Sequence, residues 1–194
     1  MVTVAAAYDI AAGTPDPELP MLTVADLGIL RAVNATADGV VVTITPTYSG
    51  CPAMREISAD ITHRLTRAGC DRVTVRTQLA PPWSSDWITA DGRRKLAEAG
   101  IAPPAPAPVR PTAPVRPTAP VRPGAPVRPG APVRPTAPRG SGPVPLTLGR
   151  PAPAGCPRCG SSRTRRTAEF SATACKSLYR CDECGEPFEA VKPL

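Results

Sequence analysis

Two pairs of cysteines late in the sequence have the spacing of a metal-binding module. Cys156 and Cys159 form one C-x-x-C-G motif, and Cys181 and Cys184 form a second one 21 residues further on. This arrangement is close to a common zinc pattern, in which each turn directs two thiolates at one ion. Four sulfur ligands leave no open coordination position, so the spacing predicts a structural zinc ion. Rubredoxin-like iron is the alternative.

A fifth cysteine, Cys51, lies between a predicted strand and a predicted helix. Pro52 fits the first helical position, which places Cys51 at or next to the N-cap. The unpaired N–H groups and the positive end of the helix dipole there favour a thiolate. The sequence therefore predicts a reactive thiol. A small buried hydrophobic residue at a helix start is the alternative interpretation.

Two acidic residues and two tryptophans are further candidates near that thiol. Asp16 and Glu18 lie in a proline-rich turn, where their carboxylates can act as ligands or form a surface loop. Trp83 and Trp87 are the only tryptophans of the chain. They are predicted to cap the core, or alternatively to form a partner-binding lip near Cys51.

The two remaining cysteines and the single histidine are not predicted to take part in catalysis. Cys70, just past the predicted helix, is expected to be a packed small residue, and Cys175 is expected to lie near the ribbon without completing it. About twelve residues of helix, or roughly 18 Å, separate Cys51 from His63, so the histidine cannot serve as its base.

Composition divides the chain of 194 residues into three parts. Of 28 prolines, 18 fall in residues 102–153, which also carry seven arginines and no acidic residue. Five copies of Ala-Pro-Val-Arg-Pro-(Thr/Gly) occupy residues 107–136. This composition predicts a disordered polyproline-type linker with a spacing role, or a weak electrostatic contact with an acidic partner. The predicted domains are therefore residues 1–101 and 154–194, the second small enough to need a metal.

The hydrophobic pattern predicts an α+β fold for residues 1–101. A weak helix over 3–12 is followed by strands near 29–36 and 40–45, which Asp38-Gly39 joins as a hairpin. A helix over 53–68 has an apolar stripe, a strand follows near 71–79, and a last helix spans roughly 89–99. The order α-β-β-α-β with a final helix predicts two layers, followed by a small β ribbon.

These motifs together resemble a known family. Asp16-Pro17-Glu18, Asp26-Leu27-Gly28, the stretch Thr45 to Met54 and the stretch Pro81 to Ile88 are similar to the MIP18 (DUF59) family, which is linked to iron–sulfur cluster assembly. With the four-cysteine ribbon, they resemble more narrowly the PaaD-type subunit of the bacterial phenylacetyl-CoA epoxidase system. The resemblance implies that Cys51 is the functional thiol, with Asp16, Glu18 and the nearby Asp26 as its acidic motif. The arginine–proline repeat departs from the family pattern.

The resemblance implies an accessory role beside a multicomponent di-iron oxygenase, in assembling or maintaining metal or iron–sulfur centres. Transient iron or an iron–sulfur cluster at Cys51 is expected, held by one chain or shared between two copies in a homodimer. The expected partners are other epoxidase subunits, above all the iron–sulfur reductase or the di-iron oxygenase. The chain lacks a Glu-x-x-His pair, a dinucleotide fingerprint and ferredoxin cysteine spacing, so ring oxidation by this chain alone is not expected.

Other function classes remain as alternatives. A zinc ribbon that binds nucleic acid through Arg163, Arg165 and Arg166 is the first. A general iron–sulfur carrier and a thiol enzyme using Cys51 are the others. The sequence has no basic signal region and no apolar run long enough for a membrane span, so a cytoplasmic location without membrane contact is expected.

Overall fold

The computed structural model describes residues 2–105 and 153–193. Up to residue 100, the α-helices and strands follow the predicted order, with boundaries shifted by one or a few residues. A short 3-10 helix, Ser85–Trp87, precedes the third α-helix. The elements are α1 (Val4–Ala12), β1 (Leu30–Thr36), β2 (Gly39–Ile44), α2 (Ala53–Arg67), β3 (Val73–Thr77), α3 (Ala90–Glu98), β4 (Ile101–Ala102), β5 (Thr164–Ala168), β6 (Lys176–Cys181) and β7 (Pro187–Val191).

The first sheet has three strands in the order β1-β2-β3. β1 and β2 are antiparallel and meet at a tight turn before Gly39, whereas β3 returns parallel to β2 after the crossover through α2. The helices α1 and α2 pack against each other, and α1 contacts β1 and β2 while α2 contacts β3. The predicted α+β fold is confirmed, with helices and sheet forming two layers.

The core lies between these layers, and α2 supplies an apolar stripe at helical spacing. Ile57, Ile61 and Leu65 are buried on α2, as the predicted period requires. Val42 and Ile44 face them from β2, because alternate residues of a strand point to the same side. Cys70 is buried in the same core, as predicted, and His63 is exposed on the opposite side of α2.

The second sheet joins residues from both folded parts of the sequence. Its strand order is β4-β7-β6-β5, with β4 parallel to β7 and the three ribbon strands antiparallel. Ile101 is paired with Glu189 and Ala102 with Ala190. Val191, at the end of β7, is buried in the same core as α2. The ribbon therefore belongs to the same compact unit as the α+β part.

Sheet pairing at β4 was not apparent from the sequence. The proline-rich composition placed the start of the linker at residue 102, yet Ala102 is a buried strand residue. The arginine–proline repeat, residues 107–136, lies outside the described residues. Among the helices of the described ranges, none has the length and apolar character needed to cross a membrane.

Candidate metal and thiol site

Cys51 lies directly before helix α2. Pro52 is the N-cap, so the helix begins at Ala53. The Cys51 N–H donates to the carbonyl of Tyr48 at 3.1 Å, which closes a tight turn after β2. The thiol is half-buried and packs against the core. Strand, turn and helix thus fix the backbone that carries this sulfur.

Asp16 and Glu18 belong to a turn that packs beside Cys51. One carboxylate oxygen of Asp16, Oδ1, accepts hydrogen bonds from the N–H groups of Glu18 and Leu19, both at 2.9 Å. The Asp16 N–H donates to the carbonyl of Leu22 at 2.9 Å, which fixes the start of the turn. Asp16 is only 6% exposed. It therefore shapes the turn that presents the Glu18 carboxylate.

Cys175, from the ribbon, reaches the same place from the other side. Its Sγ lies 3.9 Å from Oε2 of Glu18 and 3.2 Å from Oγ1 of Thr173. The carbonyl of Cys175 accepts a hydrogen bond from the N–H of Lys192 at 2.9 Å. That bond attaches the cysteine to the end of β7, whose Val191 is part of the core.

A small pocket lies between these groups. Its volume is about 20 Å³, which is room for one water molecule. Polar and thiol groups line it together with apolar side chains of both modules. The lining residues are Asp16, Glu18, Leu19, Leu27, Ile29, Thr47, Cys51, Trp83, Cys175, Val191 and Lys192.

The environment of the pocket opposes negative charge on its acidic groups. Burial raises the pKa of Cys51, and the Glu18 and Asp16 carboxylates raise it further. Bonds from the Ala53 N–H and Thr47 act in the opposite direction but are outweighed. The prediction that the helix start makes Cys51 a thiolate is therefore wrong, because desolvation exceeds the effect of the helix terminus.

The other acidic groups of the pocket shift in the same direction. Burial raises the pKa of Cys175, and it also raises the pKa of Asp16 and of Glu18. Asp16 raises the pKa of Glu18 further, since two carboxylates close together disfavour ionisation of both. Several groups with raised pKa values therefore share one small space.

Asp26 does not line the pocket. Its Oδ2 accepts hydrogen bonds from the N–H and the hydroxyl of Thr23 at 2.9 and 3.0 Å, and Lys95 Nζ lies 2.9 Å away. Burial by itself would raise the pKa of Asp26, but the bonds from Lys95 and Thr23 outweigh it and leave the pKa lowered. Asp26 thus connects the turn that contains Thr23 to Lys95 of α3, outside the Cys51 pocket.

The two tryptophans occupy different surroundings. Trp83 is buried, lines the pocket, and donates from Nε1 to the carbonyl of Leu27 at 2.9 Å. Trp87 packs against the core outside the pocket, and the guanidinium carbon of Arg31 lies 3.7 Å from its ring centroid. A partner-binding lip formed by Trp83 and Trp87 stays a prediction.

The four ribbon cysteines meet at one point. All their sulfur atoms lie within 4.8 Å of one another, with Cys156–Cys184 at 3.8 Å and Cys159–Cys181 at 3.6 Å. Sulfur atoms about 2.3 Å from a tetrahedral ion are about 3.8 Å apart, so the group fits a metal ion. The Cys184 N–H lowers the pKa of Cys181 to about 7. Among residues 2–105 and 153–193 this is the only such cluster of three or more ligand atoms.

The ribbon arginines are engaged by acidic side chains. Arg163 lies 2.8 Å from Glu183, Arg165 lies 3.1 Å from Asp182, and Arg166 lies 2.6 Å from Glu169. Each pair neutralises a cation that a phosphate would otherwise attract. The nucleic-acid alternative stays a prediction, with these three arginines held in exposed ion pairs.

Comparisons with known proteins match two separate stretches of the chain. A family model described as PaaD zinc beta ribbon domain matches residues 140–192, and one described as iron–sulfur cluster assembly protein matches residues 12–76. The chain is 39% identical over 178 residues to the D-type subunit of the putative 1,2-phenylacetyl-CoA epoxidase of Escherichia coli K12, covering 92% of this chain and 86% of the relative. The chain belongs to this PaaD family. The resemblance seen in the sequence motifs is thereby confirmed.

Two solved structures are also similar to this PaaD family member. A DUF59 domain from Bacillus anthracis has 26% identity and a TM-score of 0.45, covering 48% of this chain and 90% of the domain. A Mycobacterium tuberculosis protein described as associated with [Fe-S] complex assembly and repair has 33% identity and a TM-score of 0.28, covering 50% and 82%.

Sequence reasoning did not place the ribbon's contribution to the Cys51 pocket. Cys175, Val191 and Lys192 line it together with residues of the α+β part. The available signal was Cys175 itself, a thiol left over once the four ribbon ligands are counted. Its partner could not be found from spacing, because Glu18 is 157 positions away.

Proposed function

We propose that this PaaD family member is an accessory component of a phenylacetyl-CoA 1,2-epoxidase system and assembles or maintains a metal or iron–sulfur centre of a partner protein. The pocket that combines Cys51, Cys175 and Glu18 carries this proposal. Thiolates and carboxylates together suit transition-metal ions. The family relationship supports the choice of pathway, since the Escherichia coli relative is named for that epoxidase.

The size of the pocket supports a metal-handling role over oxidation of the aromatic substrate. About 20 Å³ accommodates one small ligand. An aromatic acyl thioester needs a cleft of at least several hundred Å³. We therefore propose that the pocket binds an ion, or a small species attached to a thiol, for transfer to a partner. Oxidation of the aromatic ring then takes place on another subunit.

The ribbon is proposed to hold zinc as a structural ion. Its four sulfurs fit tetrahedral coordination. Cys156 and Cys181 are buried, so the ion would link the two cysteine turns inside the module. Zinc would also stabilise β6 and β7, which carry Lys176 and Val191 to the α+β part. The ribbon ion then supports the thiol pocket indirectly, by keeping the ribbon folded.

The proposed partners are the iron–sulfur reductase and the di-iron oxygenase subunits. A metal held by few ligands can be passed on by exchange, whereas the four-cysteine site is closed. We propose that a partner receives iron for its metal or iron–sulfur centre at the Cys51 pocket, either from one chain or from two copies together.

The test uses the complete epoxidase system produced with Cys51→Ser, and with Cys70→Ser as a matched control. Cys70 is also a free thiol of the α+β part, but it is buried in the core outside the pocket. We expect Cys51→Ser to lower the iron and sulfide content of the reductase and the rate of phenylacetyl-CoA oxidation, whereas Cys70→Ser leaves both near wild type. Full cluster loading and full oxidation with Cys51→Ser would show the proposal to be wrong.

A further inference from the structure

We propose that Cys51, Cys175 and Glu18 form a second metal site, separate from the four-cysteine site, which takes a single divalent first-row ion such as Fe²⁺. This inference rests on the proposed function only for the purpose of the ion. The site joins ligands from the turn before α2, the acidic turn and the ribbon. Two thiolates and one carboxylate form a donor set that suits such ions.

The pair Cys175 and Glu18 is already close to the geometry of two ligands on one ion. A metal–sulfur distance of about 2.3 Å and a metal–oxygen distance of about 2.1 Å place tetrahedral ligand atoms about 3.6 Å apart. The observed separation of Cys175 Sγ and Glu18 Oε2 is 3.9 Å. A small side-chain adjustment is enough to bring both onto an ion.

Cys51 provides the third ligand from the other wall of the pocket. The three ligand atoms are not all within 4.8 Å of one another, since only the ribbon cysteines meet that spacing among the described residues. Cys51 must therefore move inward when the ion binds. Rotation about a single side-chain bond moves its Sγ, and the ion then replaces the bonds that the thiol makes with the Ala53 N–H and Thr47.

The volume of the pocket is large enough for a single ion but too small for an iron–sulfur cluster. A space of about 20 Å³ holds one water-sized body. An iron–sulfur cluster contains two or four irons with bridging sulfides, and it is held by four cysteine or histidine ligands. The pocket provides two thiols and no histidine lines it.

The charges around the pocket favour a cation. Asp16 and Glu18 line it with the two thiols. Lys176 is the buried cation nearby, and its Nζ lies 2.6 Å from Glu189, which neutralises it. Lys192 also lines the pocket, while its Nζ lies 3.6 Å from Glu169 and 3.8 Å from the Phe170 ring centroid. Both lysines have acidic partners outside the pocket, but Lys176 also attracts Asp16, Glu18 and Cys175 electrostatically, so a bound metal ion shares the negative charge of the ligands with this lysine.

Binding at this site is an exchange without oxidation or reduction. Each thiol that becomes a ligand loses its proton to the buffer, and Fe²⁺ keeps its two positive charges. Three protein ligands leave one position of a tetrahedral ion open. A thiolate or sulfide of a partner can enter that position and take the ion away.

The experiment titrates the full chain, loaded with one equivalent of zinc, with Co²⁺ and with Fe²⁺ under anaerobic conditions. We expect one further equivalent to bind, and with Co²⁺ a thiolate-to-cobalt charge-transfer band to appear. Cys51→Ser and Cys175→Ser should each weaken this binding at least about tenfold and reduce the band, since even indirect metal partners cost that much. Glu18→Gln should weaken it while keeping the band. Cys70→Ser should change neither.

Two controls separate failure of this site from failure of the proposed function. Zinc content and circular dichroism of each variant report whether the ribbon is still folded. If Cys175→Ser does not fold, Cys175→Thr takes its place in the titration. Absence of a second equivalent in the wild-type chain, or an unchanged band with Cys175→Ser, would overturn the site. If the second equivalent is lost with Cys175→Ser while the reductase is still fully loaded, the site stands and the proposed function is wrong.

Discussion

Cys175 Sγ lies 3.9 Å from Glu18 Oε2, although 157 positions separate the two residues in the chain. This contact brings the ribbon to the turn that presents the carboxylate. It follows that the surroundings of Cys51 depend on whether the ribbon is folded, and the ribbon's fold in turn depends on its metal ion.

Loss of the ribbon ion should therefore expose the pocket thiols. Cys181→Ser removes one of four ligands, and structural zinc contributes on the order of 10 kcal/mol to such a module. We expect about one equivalent less bound zinc and faster alkylation of Cys51, measured for each peptide by mass spectrometry. Cys70, buried in the α+β core, is the internal reference and should stay protected. Equal alkylation rates of Cys51 in wild type and variant would contradict this dependence.

Gly28 and Gly100 provide a matched pair for testing the close packing of Gly28 against Trp87. Both have positive φ, +67° and +76°, so alanine is strained at either position. A Cβ at Gly28 would lie 2.6 Å from both Cβ and the carbonyl oxygen of Trp87, whereas nothing lies within 4 Å of one at Gly100.

We accordingly expect Gly100→Ala to cost about 1 kcal/mol in free energy of unfolding, and Gly28→Ala to cost at least about 2 kcal/mol more. Urea denaturation followed by circular dichroism measures both. A similar loss for the two variants would show that the Trp87 backbone moves aside without cost.

The pair Asp26 and Lys95 should give a stability contribution that depends on pH. The folded-state pKa of Asp26 is lowered, so its contribution is present above the unfolded pKa of about 3.9 and is lost as pH falls through the folded value. Asp26→Asn should cost about 1–2 kcal/mol at pH 7. That difference from wild type should shrink as pH falls below about 4.

Urea midpoints of wild type, Asp26→Asn, Lys95→Met and the double variant measure this coupling at each pH. The double-mutant cycle removes effects that all the variants share, including acid release of the ribbon ion. A difference that stays constant down to the acid limit would mean that the carboxylate charge contributes nothing.

Trp83→Phe tests the buried hydrogen bond beside the pocket. The substitution keeps an aromatic ring but leaves the Leu27 carbonyl without the 2.9 Å bond from Nε1. We expect a loss of about 1–3 kcal/mol in free energy of unfolding, because a buried acceptor is left unsatisfied. Trp87→Phe is the comparison: phenylalanine keeps a ring face for Arg31, although a weaker one than tryptophan, so the cost should stay below about 1 kcal/mol. Thermal unfolding ranks the two, and the reverse order would refute the assignment.

Local patterns in the sequence were sufficient for the elements of the α+β part. The apolar spacing on α2 and the alternation of β2 follow from helical and strand periods, so Ile57, Ile61 and Val42 could be predicted as core. The four ribbon ligands could also be predicted, since the two turns each hold a pair of thiols within a few residues.

Two predictions about the thiol chemistry depended on surroundings that the sequence does not show. The position of Cys51 before a helix was predictable, but its pKa depends on burial and on nearby carboxylates. Asp26 looked like part of the acidic motif, whereas its partner is Lys95, 69 positions away. Electrostatic effects of this kind act through space, so spacing along the chain does not reveal them.

Residues close together along the chain were enough to predict the three helices and first three strands, the four ribbon ligands and the family. The pairing of β4 with β7 and the contact between Cys175 and Glu18 became apparent only in the folded chain. The residues in these contacts are separated along the chain by a long proline-rich segment. The composition of that segment does not indicate which surfaces of the two parts meet. Packing of Val191 into the α+β core favours this arrangement, since it buries apolar surface of the ribbon against the α+β part.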